Sequence, residues 1–481
     1  MMSHHTYQSP LIGRYSSSEM QVLFSDDTKF RTWRKLWLEL ARAEQSLGID
    51  QITDKALQQM EANLDFTEED YRVVAEIERE IRHDVMSHVR RFGQVCPAAA
   101  PIIHIGATSC EVDDNTYLIV MREALGIIAL RIARVLHPLA QFADAWKGTP
   151  TLGFTHFQPA QLVTVGKRAA MWAQDLLMDL GAVESLQDWM PFRGIKGTTG
   201  TQDSFLDLFA GDHDKVVELD RLVKTAFGFS RSLTITGQTY TRKIDTRVLM
   251  VLADLAASMH KMCTDLRLLA SRKEIEEPFE KGQVGSSAMA YKRNPMREER
   301  NCALDRHPMA LVFEGLFTQA TQWFERTLDD SACRRLYIPE AFLAADGALL
   351  VLQNVVEGLV VYPAMIQRHV MEELPFMATE HIINAMVKVG ANRQETHERI
   401  RVHAQAAGEN VKLHGGDNDL IVRLQGDDFF RPVRDEFDTI LDPRRFIGRC
   451  VEQVEEFITN EVESVLDPYM DRVDEKSELK V

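Results

Sequence analysis

VLMVLADLAASMHKMCTDLRLL, from Val248 to Leu269, decides the fold class. Val248, Leu252, Leu255, Met259, Met262, Leu266 and Leu269 recur by threes and fours, the spacing of one helix face. Leu249, Ala256, Cys263 and Ala270 add a second apolar stripe. A helix apolar on more than one face must be surrounded by neighbours, because laying it on a surface would leave one stripe in water. The stretch therefore predicts a helix buried inside a bundle.

The same rhythm extends outward. Leu118, Met121, Leu125, Ile128, Ile132, Val135, Leu139, Phe142 and Trp146 predict a longer helix, with Pro138 expected to kink or split it. Ala169, Trp172, Leu176, Leu180, Val183 and Leu186 predict a third. Phe30, Trp33, Trp37 and Leu40 form one face of a helix expected to end at Gly48. Alternating patterns are scarce, Ser232–Thr236 (SLTIT) being one of the few predicted strands. The chain thus reads as all-α, built on long antiparallel helices. Breaks around Gly106–Asn115 and at Val361-Tyr362-Pro363 suggest an N-terminal helical domain (1–108), a central long-helix bundle (109–361) and a C-terminal helical domain (362–481).

Composition narrows the function classes. The 481 residues include 55 basic and 72 acidic ones, a formal charge of −17. That field repels nucleic acid and anionic membrane, so neither is an expected partner. The six cysteines form no CxxC pair, and no His/Cys spacing suggests a metal site. The N-terminal MMSHHTYQSPLIGRY lacks the apolar core of a secretory leader. The best apolar run, around Leu349 to Val361, is broken by Gln353, Asn354 and Glu357, so no membrane span is expected. A cytoplasmic protein with reduced thiols is the expectation.

Three stretches look unlike core. Thr108-Ser109-Cys110-Glu111-Val112-Asp113-Asp114-Asn115 precedes the longest helix and is rich in capping groups, a structural role that suffices for it alone. Gly153-Phe154-Thr155-His156-Phe157-Gln158-Pro159-Ala160-Gln161 sets a histidine among polar donors, read as a loop at a helix start, where anions are favoured. Gly282–Pro295 combines Gly and Ser with Lys292 and Arg293, and Arg297, Arg300 and Arg306 follow. Such a basic cluster reverses the sign of the global field and would focus an anionic ligand. It matches neither the P-loop nor GxGxxG, and the Gly-rich Gly194–Gly200 stretch fails both patterns too. Arg326, Arg334 and Arg335 lie among Glu325, Asp329 and Asp330, so they serve either a ligand or ion pairs on a solvated face.

GSSAMAYKRNP, Gly285 to Pro295, resembles the signature loop of the fumarase/aspartase superfamily. RHDVMSH (Arg82–His88), THFQPAQ (Thr155–Gln161) and the FERTLDDS stretch narrow the resemblance to the adenylosuccinate lyase family in its animal form, from Ser9 to the C-terminal third. Ala290 departs from the proline usual in that loop, which implies a more mobile loop. The resemblance implies three helical domains whose long central helices assemble into a twenty-helix core in a homotetramer, with active sites shared among subunits. It implies fumarate elimination from two anionic substrates, adenylosuccinate and the succinylaminoimidazole-carboxamide ribotide, with no cofactor.

Residue by residue, it implies Ser286 as base, His156 as acid, Glu299 as the carboxylate orienting His156, and His83 as a second site histidine beside Arg82 and Asp84. Lys292 and Asn294 would stabilise charge spreading onto the substrate carboxylate. Arg14, Tyr15, Arg300, Arg326, Ser331 and Arg335 match phosphate- and carboxylate-contacting positions, and Thr108, Ser109 and Gln238 match succinyl- or nucleotide-binding ones. Lyases acting on argininosuccinate, aspartate or malate lack a phosphate to occupy these arginines. A catalytically silent helical protein would be expected to have lost the signature serine or histidine.

Overall fold

The computed structural model describes residues 5–477 and 479; the first four residues of the stretch read for a leader fall outside them. Five long helices build the molecule: Ser109–Ala145, Val165–Trp189, Lys243–Ser271, Met296–Thr321 and Asp330–Glu357. They pack side by side, each touching at least two others. The quoted stretch lies inside Lys243–Ser271, where both of its stripes are shut from water: Leu252, Leu255, Ala256, Met259 and Cys263 are all fully buried. Each large apolar side chain so buried contributes about 1.5–3 kcal/mol, which is why tertiary packing rather than local propensity holds these helices.

The N-terminal helices Asp26–Ser46 and Asp84–Val95 share the bundle's core through Trp33, Trp37 and Phe92, and Glu68–Ile81 packs against Asp84–Val95. Asp26–Ser46 ends as expected, with Gly48 just beyond it at φ +98°. A smaller core formed by Ala378, Ile382, Ile400, Leu420, Phe430 and Phe437 lies in the C-terminal third. Val454, Phe457, Val462 and Val473 return to the main core.

Three expectations are corrected. Pro138 does not split its helix, which runs from Ser109 to Ala145. The buried neighbours Val135, Leu136, Leu139 and Ala140 hold that turn in place although proline donates no N–H. The stretch from Gly106 to Asn115 is loop only as far as Thr108. Ser232–Thr236 forms no strand, only a single bridge between Phe192 and Ser232. The strands lie elsewhere: β1 (Pro150–Thr155) and β2 (Gln158–Thr164) make an antiparallel hairpin, and β3 (Ile275–Glu276) pairs with β4 (Val360–Val361).

Asp330–Glu357 is long and apolar enough to cross a membrane by length and composition, which a search for uninterrupted runs misses. Of its most apolar window 83% is buried inside the molecule, so it is a core helix.

Candidate active site

The sequence-derived site residues fall into three places, with Arg14 and Tyr15 in a fourth. The first gathers the N-terminal ends of several helices. Arg82 closes Glu68–Ile81 in the left-handed conformation (φ 54°), and His83 caps the next helix, its Nδ1 accepting the Met86 N–H at 3.3 Å. The His83 side chain is otherwise exposed. Asp84 accepts the Val85 N–H at 2.7 Å and an Arg335 Nη2 bond at 3.2 Å. Burial alone would raise the Asp84 pKa, but these two donors outweigh it and hold the carboxyl below its usual range.

Thr108 sits just before Ser109, the first residue of the longest helix, and its N–H donates to Glu111 at 2.6 Å. Gln238 Nε2 donates to Thr108 Oγ1 at 3.3 Å, and the Gln238 N–H donates to the Glu325 carbonyl at 3.0 Å. A Cβ at Gly237 would lie 2.6 Å from that carbonyl oxygen, so glycine is what lets the two loops meet. Arg326 follows, 3.4 Å from Asp330, and Ser331 and Arg335 lie in the first two turns of the helix Asp330–Glu357. Residues distant in sequence thus converge: Arg82–Asp84, Thr108–Ser109, Gln238 and Arg326–Arg335.

Beneath them lies a dry ionic platform. Asp114 binds Arg242 at 3.0 Å and Arg334 at 3.3 Å; Arg242 also binds Asp330 at 2.6 Å, and Arg334 binds Asp245 at 2.7 Å. Arg334 is therefore no solvated-face residue, and its neighbour Arg335 alone turns outward to Asp84. Desolvation opposes charge on Asp114, yet Arg242 and Arg334 hold its pKa below the usual range.

Two members of this place were missed as ligand-site candidates. Lys29 lines a cavity of about 170 Å³ with Tyr117 and Arg335, and its ammonium stands 5.0 Å over the Trp33 ring. Burial lowers its pKa, with Asp113 opposing. Asp113 is shifted up by desolvation, against the pull of Lys29. Lys29 reads in sequence as an ordinary polar residue of an amphipathic helix, so no local signal marks it.

The second place is the signature loop, which joins β3 to Met296–Thr321. Asn294 Nδ2 donates to the Gly285 carbonyl at 2.8 Å and closes the loop. A Cβ at Gly285 would meet the Lys292 carbonyl oxygen at 2.1 Å, which requires glycine there. Ser286 Oγ accepts N–H bonds from Met289 at 3.2 Å and from Ala288 at 3.4 Å. Lys292 and Ala290 are exposed, and Arg293 stacks 4.9 Å from the Phe279 ring. Arg300 and Glu299 follow in the helix, Glu299 facing outward.

The third place is the tip of the β1–β2 hairpin. His156 and Phe157 occupy the two-residue turn between Thr155 and Gln158, with φ 53° and 56°. Two consecutive left-handed residues are the geometry of a tight hairpin turn whose twist matches its strands. Neither residue is glycine, and holding such positions costs about 1–3 kcal/mol each. The sequence reading had His156 in a loop leading into a helix; the helix begins only at Val165, after a full strand. At the tip His156 is exposed and joined to no described residue by a side-chain hydrogen bond or ion pair. Within one chain it therefore does not meet Ser286 or Glu299. Arg14 and Tyr15 lie apart as well, on a short turn, Leu11–Tyr15, seated against Asp330–Glu357.

A Gly-rich signature loop with N–H groups trained on a serine, set on a long-helix bundle, defines the lyase class. Residues 7–303 match the family described as Lyase, and residues 375–457 match the one described as Adenylosuccinate lyase C-terminus. The fold is that of the fumarate lyase from Mesorhizobium sp. BNC1 (TM-score 0.79, 21% identity, covering 95% of this chain and 100% of that one). The 3-carboxy-cis,cis-muconate lactonizing enzyme from Pseudomonas putida is similar too (TM-score 0.80, 20% identity, 96% and 100% covered).

Adenylosuccinate lyase from Saccharomyces cerevisiae is 53% identical over 482 residues, covering 100% of both chains, and that from Caenorhabditis briggsae is 43% identical over 483 residues with the same coverage. The chain belongs to the adenylosuccinate lyase family. It is a carbon–nitrogen lyase of purine nucleotide biosynthesis, and the resemblance to the animal form extends to fungal relatives.

Proposed function

We propose that the enzyme removes fumarate by β-elimination from adenylosuccinate, leaving AMP, and from the succinylaminoimidazole-carboxamide ribotide. The observation that carries the mechanism is the pair of N–H groups, from Ala288 and Met289, aimed at Ser286 Oγ. A serine hydroxyl is a weak base unless ionised, and two donors at its oxygen favour the alkoxide. Ser286 takes the substrate Cβ proton; that electron pair forms the carbon–carbon double bond as the carbon–nitrogen bond breaks. His156 gives a proton to the departing nitrogen.

Lys292 neutralises charge that spreads onto the neighbouring carboxylate. Asn294 already spends one amide hydrogen on the Gly285 carbonyl, so it shapes the loop as well as facing substrate. Arg14, Tyr15, Arg82, His83, Asp84, Thr108, Ser109, Gln238, Arg300, Arg326, Ser331 and Arg335 bind a substrate bearing two carboxylates and a phosphate.

These separated places become one site in a homotetramer with a twenty-helix core, where the hairpin tip of one subunit meets the signature loop of another and Glu299 orients His156. Exposed apolar side chains on the long helices support that reading: Met178 is 69% exposed and Phe317 69%. Phe313 and Leu316 are exposed on the same face as Phe317, and such a cluster, unlike a single exposed side chain, marks a contact with another protein. Three helical domains, a cytoplasmic location and chemistry carried by side chains alone complete the proposal. The test is to mix purified tetramer with adenylosuccinate and follow ultraviolet absorbance for AMP and fumarate. Stoichiometric formation of both supports the proposal, and an unchanged spectrum refutes it.

A further inference from the structure

Arg14 and Tyr15 ride on a five-residue turn, Leu11–Tyr15. So short a turn cannot hold its own shape, because nucleating helical structure costs more than one turn returns. Its stability has to come from what it rests on. Just beyond it the Ser17 N–H donates to Asp346 Oδ2 at 2.6 Å, while Arg131 Nε donates to the other oxygen, Oδ1, at 3.3 Å. Asp346 is wholly buried and Arg131 is 8% exposed.

Gly347, next on the helix, is where the Tyr15 backbone comes closest: a Cβ there would lie 3.1 Å from the Tyr15 carbonyl carbon. Ser16 Oγ donates to the Leu11 carbonyl at 2.6 Å, and Gln21 Nε2 donates to the Ile12 carbonyl at 2.9 Å, tying the turn into one unit. On the outer side the Arg14 side chain is exposed and makes no ion pair with any described residue.

We infer that Asp346 is a positioning residue for substrate binding: its carboxylate, clamped between Arg131 and the Ser17 N–H, fixes the Leu11–Tyr15 turn so that Arg14 faces the anionic substrate. The inference rests on the reading of Arg14 as a substrate ligand. Arg335 lies on the same helix as Asp346, about three turns earlier at 3.6 residues per turn. One rigid helix therefore sets the separation between the seat of Arg14 and another substrate arginine. A side chain that only stabilised the fold would alter activity through the amount of folded enzyme, whereas a positioning residue alters substrate affinity.

The experiment compares Asp346→Ala, Asp346→Asn, Arg14→Gln and the Asp346→Ala/Arg14→Gln double variant by steady-state kinetics, with oligomeric state checked by light scattering. Asp346→Ala is expected to raise KM about tenfold with kcat within about twofold of the parent. Asp346→Asn is expected to recover part of this, since its amide oxygen still accepts the Ser17 N–H. The double variant should show no further rise beyond the larger single effect, the signature of two residues acting through one contact. If Asp346→Ala does not fold, Arg131→Met reads the same clamp and is held to the same KM criterion.

A fall in kcat at unchanged KM, or multiplying effects of the two substitutions on KM, would overturn the inference. If Arg14→Gln raises KM and the Asp346 and Arg131 variants behave as the parent, this inference alone falls. If Arg14→Gln leaves KM unchanged, the reading of Arg14 falls and takes the inference with it.

Discussion

Arg193 donates from Nη1 to Glu111 Oε1 at 3.0 Å, and neither side chain reaches solvent. The same Glu111 oxygen accepts the backbone N–H groups of Lys196 (2.9 Å) and Gly197 (2.6 Å), while its other oxygen takes the Thr108 N–H (2.6 Å). One buried carboxylate thus joins the Gly194–Gly200 loop to the start of the helix carrying Thr108 and Ser109. Removing one partner of such a pair leaves an uncompensated charge, which costs about 3–5 kcal/mol. Arg193→Met should lower the thermal midpoint markedly, and Glu111→Gln added to it should restore part of the loss. Thermal melts of the two single variants and the double variant check this.

Ser286→Ala should fold and bind substrate but hardly turn it over, since Ala288 and Met289 then point at a methyl group. Near-normal kcat would remove Ser286 from the mechanism. His156→Ala should lose about 10²–10⁴-fold in turnover, the range of a general acid.

Mixing those two inactive variants tests the shared site. If the histidine and the serine of one site come from different subunits, random reassembly restores about one quarter of the parental sites. Activity that stays at the single-variant level after confirmed subunit exchange would place both residues in the same subunit.

His88 is buried among Phe30, Trp33 and Phe66, and burial, with Lys29 nearby, pushes its pKa down to about 3. Arg34 adds to the depression, while Asp84 and Asp70 oppose it. The folded state therefore excludes a proton that the unfolded chain binds at about pH 6.5. Stability from this group is complete above about pH 6.5 and is lost as pH falls toward 3, a loss of a few kcal/mol in total. His88→Phe should flatten that limb of a melting-temperature profile. An unchanged slope between pH 6.5 and 4 would count against the assignment.

Glu298 has the opposite sign. It is fully buried beside Glu277, neither of its carboxylate oxygens has a hydrogen-bond partner among the described residues, and burial raises its pKa to about 9. The folded protein holds a proton that the unfolded chain releases near its ordinary carboxyl pKa, so stability falls as pH climbs from about 4.5 to 9. Glu298→Gln should raise the thermal midpoint, with a gain larger at pH 8 than at pH 5. A gain independent of pH would show that the carboxyl is already ionised when folded.

Much of the helical frame was legible because burial leaves a period in sequence. The two stripes of Val248–Leu269 announced a helix surrounded on all sides, and Leu252, Leu255 and Met259 are fully buried. The β1–β2 hairpin was not legible, because its turn residues are His156 and Phe157 rather than the Asn-Gly or Gly-rich pairs that signal such turns. Lys29 and Asp346 were equally silent. One looks like a surface lysine and the other like an acid stranded in an apolar helix until Arg131 and Ser17 are brought to it.

Sequence alone determined what recurs at short range: helix periods, the Gly-Ser loop at Gly285 to Pro295, and the motifs that mark the family. Only the tertiary structure decided which charges are solvated and which are locked away, as with Arg335 facing Asp84 while Arg334 sinks onto Asp114 and Asp245. The reason is physical: adjacent residues on a helix point about 100° apart, so one meets water and the other meets whatever the fold packs there. That neighbour can be two hundred residues away, as Asp114 is from Arg334.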